Sequence, residues 1–286
     1  MSTSNVRQKQ RQKAITDALG VRNKETIATM VAAKTDPSYE VLARRMEDLS
    51  SVTARRLWTT HPHAYGTGKG FRNGPYRIIF LHAIGMHISN NIPAKCACNQ
   101  EFTPDHPHCC VEIRRKAVTD RHDSVTKTFG DICKDAGCQV TLEPTMRLAN
   151  QKEKQANKRA DAIITTPDGK TFSIDTSVIH TTAKTYASIT VTDQLANRAQ
   201  TKAGKYAHIA QAHNHSFYPF IMTSMGTFHN KALDVLTHIA KIAKEQARAH
   251  CDKVFLKQAI NRLLSTLHRG NIHLLQYALK RLDSQI

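Results

Sequence analysis

The chain has 286 residues, enough to bury a substantial core as one large domain or two small ones. Its 41 Lys and Arg against 23 Asp and Glu leave a formal charge of +18, which points to an extended anionic partner. Nucleic acid fits that partner better than a membrane, because no apolar run approaches the roughly 20 residues that a spanning helix needs.

Residues 1–13 are mostly Gln, Lys, Arg and Ser, read as a disordered basic tail. They lack the apolar stretch of a secretory signal, which argues against secretion. The seven Cys then read as reduced thiols, some of them metal ligands, rather than as a disulfide framework. From Ala14 to Trp58 apolar residues such as Val41, Leu42, Met46 and Leu49 recur at helical spacing, and Asp36-Pro37 divides the run into two helices. Arg44, Arg45, Arg55 and Arg56 make their surface basic; a solvated face explains any one of them. Thr60 to Pro75 reads as a loop. Within it Gly66-Thr-Gly-Lys-Gly-Phe71 lacks the glycine spacing and the hydroxyl after Lys69 that a phosphate loop requires. Ile78 to Ile88 is predicted to be a short apolar helix.

Cys96-Ala-Cys98 is followed by His106-Pro-His108-Cys109-Cys110. Two thiols one residue apart form a tight turn whose sulfurs can face one ion, and a His and a Cys some ten residues later complete a tetrahedral zinc site. The preferred ligands are Cys96, Cys98, His106 and Cys110, with His108 and Cys109 as substitutes. Four protein ligands leave no open position, so the site would be structural. The competing reading is a set of ordinary reduced thiols beside loop histidines.

Arg114 to Lys134 carries Val118, His122, Val125, Phe129 and Ile132 on one face, the pattern of an amphipathic helix. His122 lies on the apolar stripe and reads as a satisfied core histidine rather than a catalytic one. Gly137 ends the helix, and Cys138 to Leu142 reads as a strand ending at Glu143-Pro144. Residues 147–159 carry Arg147, Lys152, Lys154, Lys158 and Arg159 against one acid. They form either a loop suited to a phosphate backbone or a solvated linker.

Two apolar runs follow, each with one carboxylate: Asp161 in Arg-Ala-Asp-Ala-Ile-Ile-Thr and Asp175 in Phe-Ser-Ile-Asp-Thr-Ser-Val-Ile. An Asp between Ile174 and Val178 is costly to bury unless a positive group meets it. On neighbouring strands joined by Thr166-Pro-Asp-Gly169 the two acids can share one divalent cation. The bland alternative is a pair satisfied by backbone amides in turns. A polar helix from about Thr192 to Ala212 carries Lys202, Lys205 and Tyr206, and Phe217 to Thr223 reads as a fourth strand closed by Met225-Gly226. Residues 231–282 are helical, with Arg269-Gly270-Asn271 as the break between the last two helices. The order helix, three strands, helix, strand, with a helical region at each end, is that of an α/β core.

This ordered set of motifs resembles the C-terminal part of site-specific non-LTR retrotransposon proteins. In those, a CCHC zinc knuckle precedes a restriction-like endonuclease of the PD-(D/E)XK superfamily. The similarity covers roughly residues 76–230 and runs through CxC with a later His and Cys, Arg121-His122-Asp123, Glu143-Pro144, Arg159-Ala-Asp161, Ile174-Asp175-Thr176, Lys202 with Tyr206, and Ser-Met-Gly226. It implies a mixed central sheet flanked by helices, Asp161 and Asp175 as Mg²⁺ ligands, and Lys202 as the catalytic lysine with Lys205 as its understudy. Glu143 would hold a second metal or the water, or else be a solvated strand end. Two positions depart from the family: Ala160 replaces the usual Pro, and Ser177 stands where many members carry Lys, so the helix must supply that Lys. The implied organisation is a tail over 1–13, a basic helical region over 14–92, a zinc knuckle over 93–113, a nuclease core over 114–230 and a helical region over 231–286.

The resemblance thus implies a metal-dependent DNA endonuclease, a nickase because one such site cuts one strand. A reverse transcriptase or larger retrotransposon polyprotein would be its partner and the nucleus its location. The alternative is a non-catalytic nucleic-acid-binding module derived from such a nuclease.

Overall fold

The computed structural model describes residues 37–56, 73–89, 92, 94–146, 158–186 and 189–283. The expected tail, the first expected helix and most of the Thr60–Pro75 loop lie outside them. Helix α1 (Pro37–Leu49) begins at the predicted breaker, where a proline lacking its N–H belongs. Helix α2 spans Asn73–Ala83 rather than the expected 78–88. It starts earlier because Pro75 sits in a first turn that tolerates it, and it stops earlier because Gly85 turns the chain at φ +75°.

A short turn of helix, α3 (His106–Cys109), runs into the 25-residue α4 (Val111–Asp135). The predicted stripe is present: Val125, Phe129 and Ile132 are fully buried, each stabilising by roughly 1.5–3 kcal/mol relative to exposure. Gly137, at φ +92°, ends the helix as its freedom in the left-handed region allows.

The sheet then forms. Strands β1 (Gln139–Leu142), β4 (Ala162–Thr165), β5 (Thr171–Ile179) and β6 (Ser216–Thr223) lie in the order β1-β4-β5-β6. The first two pairings are antiparallel and the last is parallel. Between β1 and β4, β2 (Thr145–Met146) and β3 (Lys158–Arg159) pair as a separate two-stranded ribbon. Helix α5 (Val191–Ala212) is the crossover from β5 to β6, and its first turn is capped by the Thr190 hydroxyl, which accepts from the Asp193 amide.

Alternation along the strands sorts the two faces. Ala162, Ile164, Phe172, Ile174, Phe220 and Met222 enter the main core with α4 and the two C-terminal helices, α6 (Asn230–Glu245) and α7 (Asp252–Asp283). Ile179 and Ile221 meet Val191, Leu195 and Ala199 of α5, while Ile163 and Phe217 pack on Tyr206, Ile209 and Ala210. Asp175 and Ser177 lie between these two small clusters on the α5 face. The molecule is therefore a mixed α/β structure with helices on both faces of a four-stranded sheet.

The expected break at residues 269–271 is absent. Helix α7 runs through it, and the chain turns instead after Gln246, with Ala247 at φ +54°. Gly270 has another purpose: a Cβ there would lie 2.5 Å from Cγ of Arg121, so the missing side chain lets Arg121 pass between α4 and α7. No described helix is long and apolar enough to cross a membrane.

Candidate functional site

Unequal strand lengths create the first site. β4 begins at Ala162, opposite Ile174, while β5 continues to Ile179. The amide of Thr176 is consequently left without a ladder partner on that side, and Asp161 supplies one: the amide donates to Oδ2 at 2.5 Å. The backbone of Asp161 is itself fixed, its N–H donating to the Ile174 carbonyl at 3.0 Å and its C=O accepting from Glu143 at 2.9 Å. Asp175, next along β5, is 2% exposed. Burial and then the neighbouring charge of Asp161 push its pKa up, and Lys202 and Tyr206 oppose the shift. The two carboxylates thus act on each other across the end of the sheet.

The cation that meets Asp175 comes from α5. Lys202 Nζ pairs with Asp175 Oδ2, with the side chains 16% and 4% exposed. Tyr206 stands beside Asp175 and helps to oppose the upward shift of its pKa. Lys205 lies over the Tyr206 ring at 4.7 Å instead of on the carboxylate, so of the two lysines it is Lys202 that is in place. One turn earlier, Arg198 Nε donates to Ser177 Oγ at 2.9 Å. Ser177 stands where many members of the resembled family carry a lysine, and an arginine from the facing helix reaches it.

His122 overturns the expectation of a core histidine. Its side chain is 31% exposed, and Nε2 lies 3.1 Å from Asp161 Oδ2 and 3.2 Å from the Thr176 carbonyl. Nδ1 lies 2.9 Å from Asp123 Oδ1. Every partner is an acceptor, so both nitrogens must donate and the ring is an imidazolium. Burial alone would lower its pKa, but the bond and charge of Asp161, with Asp123 and the Thr176 carbonyl, raise it to about 9. The stripe placed His122 facing the sheet, but the strand it faces has ended there, and polar groups take the place of a core.

Glu143 is exposed at the end of β1, in a left-handed conformation at φ +49° that a non-glycine residue adopts at some cost. Its contact with the site is the backbone bond to Asp161. Of the basic residues expected to grip phosphates, Arg147, Lys152 and Lys154 lie outside the described residues. Lys158 and Arg159 form the ribbon strand whose chain leads directly to Asp161.

The second site is the cluster of thiols. Ligand atoms of Cys96, Cys98, His106 and Cys110 lie within 4.8 Å of one another. Cys96 Sγ is 3.7 Å from Cys110 Sγ, and Cys98 Sγ is 3.4 Å from His106 Nε2. Around one tetrahedral ion with the usual Zn–S and Zn–N lengths these separations would be about 3.8 and 3.5 Å. Cys110 is the residue that precedes α4, and burial pushes its thiol up to about 11. Cys96, Phe102 and Cys110 share a small core with Ile113, Leu274 and Ala278, which ties the cluster to α4 and α7. The proposed substitutes are elsewhere: Cys109 is exposed, and His108 belongs to a different group.

That group, His82, His108 and His180, also brings its ring nitrogens within 4.8 Å. The rings are stacked, His108 on His82 at 4.6 Å and on His180 at 4.2 Å, so their lone pairs do not converge on one point. Arg121, which can only donate, lies 3.0 Å from His108 Nδ1 and so fixes the proton on Nε2. His180 spends one nitrogen on Asp105 and Thr182 and the other on Ser224. With Arg45 on Asp105 as well, the stack is a buried hub joining α1, α2, α3 and α4 to the chain just after β5 and β6 rather than a cation site.

No protein-family model matches the chain. An alignment 158 positions long, which covers 51% of this chain, is 25% identical to the retrotransposable element SLACS 132 kDa protein of Trypanosoma brucei gambiense. The chain spans only 13% of that relative's length.

Proposed function

We propose that the chain is a metal-dependent DNA endonuclease of retrotransposon type, a nickase with a PD-(D/E)XK core and a preceding structural zinc site. The observation that carries this reading is the juxtaposition of Asp175 and Asp161 at the end of the sheet. Two neighbouring carboxylates, one of them pushed toward protonation by burial and then by the charge of the other, are relieved by a divalent cation more readily than by a single amine. The similarity to a retrotransposon protein supports the same class, and +18 of net charge supports a nucleic-acid substrate.

In this reading Asp161 and Asp175 hold Mg²⁺ or Mn²⁺, which would polarise a non-bridging phosphate oxygen and help ionise the attacking water. Asp161 is presented for that task with Oδ2 fixed by Thr176 and His122, which leaves Oδ1 for the ion. Lys202, released from Asp175, orients the water or meets the charge building on the phosphorane. Glu143 is a second carboxylate at the rim, and Lys205 adds positive charge beside Tyr206. The basic residues 147–159 grip the backbone. Cys96, Cys98, His106 and Cys110 hold a structural zinc that orders the approach to α4. A reverse transcriptase region of a longer polyprotein would be the natural partner and the nucleus the place of action.

One observation favours a non-catalytic nucleic-acid-binding module instead. The ammonium of Lys202 already sits on Asp175, as it would in a decayed site that neutralises its own acid. Nicking of supercoiled plasmid separates the two. The endonuclease reading expects Mg²⁺-dependent nicked circles that EDTA abolishes and that the Asp175→Ala protein fails to make while still binding DNA. Salt-sensitive binding without cutting by the wild-type protein, with any divalent ion, would select the binding module.

A further inference from the structure

The Lys202 ammonium is committed to Asp175 and the Lys205 ammonium lies on the Tyr206 ring. A phosphodiester brought to these carboxylates before Lys202 is released therefore needs another cation. Arg198 is placed to be that cation. It lies one turn from Lys202 on the same face of α5 and is half-buried, and Ser177, 5% exposed, accepts from its Nε at 2.9 Å. Ser177 follows Asp175 by two residues on the same face of β5, about 6.6 Å along the strand. The Arg198–Lys202 step on the helix is about 6 Å, so the two pairs run side by side. The Ser177 bond holds the guanidinium by one nitrogen and leaves the two Nη groups to form the planar fork that suits a phosphate's oxygens. Among the described residues no carboxylate pairs with Arg198. Its anchor is a neutral hydroxyl, so its full charge stays available.

We propose that Arg198, held in place by Ser177, is a phosphate-binding residue of this site, gripping a non-bridging oxygen of the nucleic-acid strand presented to Asp161 and Asp175. The inference rests on the nuclease reading, and its test keeps the two apart. Affinity for a short duplex DNA is measured in EDTA across a range of salt for the wild-type, Arg198→Gln, Arg198→Lys and Ser177→Ala proteins, and plasmid nicking is measured in Mg²⁺. Losing one phosphate contact lowers the slope of log affinity against log salt by about 0.9. Arg198→Gln should show that loss and cut about 100-fold more slowly. Arg198→Lys should recover the slope but not the rate, because a point charge replaces the fork. Ser177→Ala should keep the slope and lose part of the rate. Mn²⁺ affinity should be unchanged in all three variants. If wild-type protein cuts and Arg198→Gln matches it in slope and rate, the inference falls and the nuclease reading stands. A wild-type chain that neither binds nor cuts DNA overturns both.

Discussion

The thiol cluster and the carboxylate site are assembled by opposite means. Four side chains from fifteen consecutive positions, Cys96 to Cys110, make the first, with ligand atoms close enough together for one metal ion to join them. The second draws His122 from α4, Asp161 from the start of β4, Asp175 from β5 and Lys202 from α5. Its parts are held by the sheet and its two covering helices whether or not an ion is present. One site should therefore fail as structure when disturbed, and the other mainly as chemistry.

The largest effect should come from the local site. Replacing Cys96 and Cys98 together by Ser removes two of the four candidate ligands and perturbs the core shared with Leu274 and Ala278. A loss of even ~4 kcal/mol lowers the melting temperature by about 10 °C for a domain of this size. Calorimetry with metal analysis should show that fall together with loss of roughly one zinc per chain. A metal-free wild-type protein of equal stability would remove the distinction between the two sites.

The carboxylate site should respond asymmetrically. Lys202→Ala strands the charge of Asp175 in its buried setting and should cost about 3–5 kcal/mol. Asp175→Ala leaves a lysine whose long stem can swing toward solvent and should cost less. Urea unfolding of both single variants and the double variant tests this, and the double should be more stable than Lys202→Ala alone. Equal costs would mean that the pair is not buried as a unit.

A smaller effect is expected at His122. Its folded pKa, about 9, lies above the ordinary 6.5. The stability it contributes is fully present below about pH 6.5 and is lost as pH rises through about 9. The wild-type protein should lose stability across that window relative to His122→Asn, and Asp161→Asn should bring the imidazole NMR midpoint down toward 6.5. A midpoint already near 6.5 in the wild type would detach His122 from Asp161.

What could be read in advance follows the same division. The thiol set lies within one short stretch, so spacing put Cys96, Cys98, His106 and Cys110 ahead of the substitutes His108 and Cys109, and the hairpin of Asp161 and Asp175 was legible from two apolar runs around Thr-Pro-Asp-Gly. Lys202 was legible through resemblance. His122 was misplaced because periodicity gives the face of a helix but not where the facing strand stops. Arg198 was missed because its partner, Ser177, lies 21 positions away on another element. Gly270 was taken for a break because its reason, the passage of Arg121, exists only once α4 and α7 meet. A signal for His122 was present in Arg121-His122-Asp123, where one histidine is flanked by charges of both signs in the middle of an apolar stripe.

The central claim is that Asp161 and Asp175 share one divalent cation, and titration with Mn²⁺ followed by electron paramagnetic resonance tests it most directly. Free Mn²⁺ signal should disappear with one site per wild-type chain, and Asp161→Asn and Asp175→Asn should each weaken that site by about tenfold or more. Wild-type and doubly substituted protein that take up Mn²⁺ equally, or not at all, would contradict it.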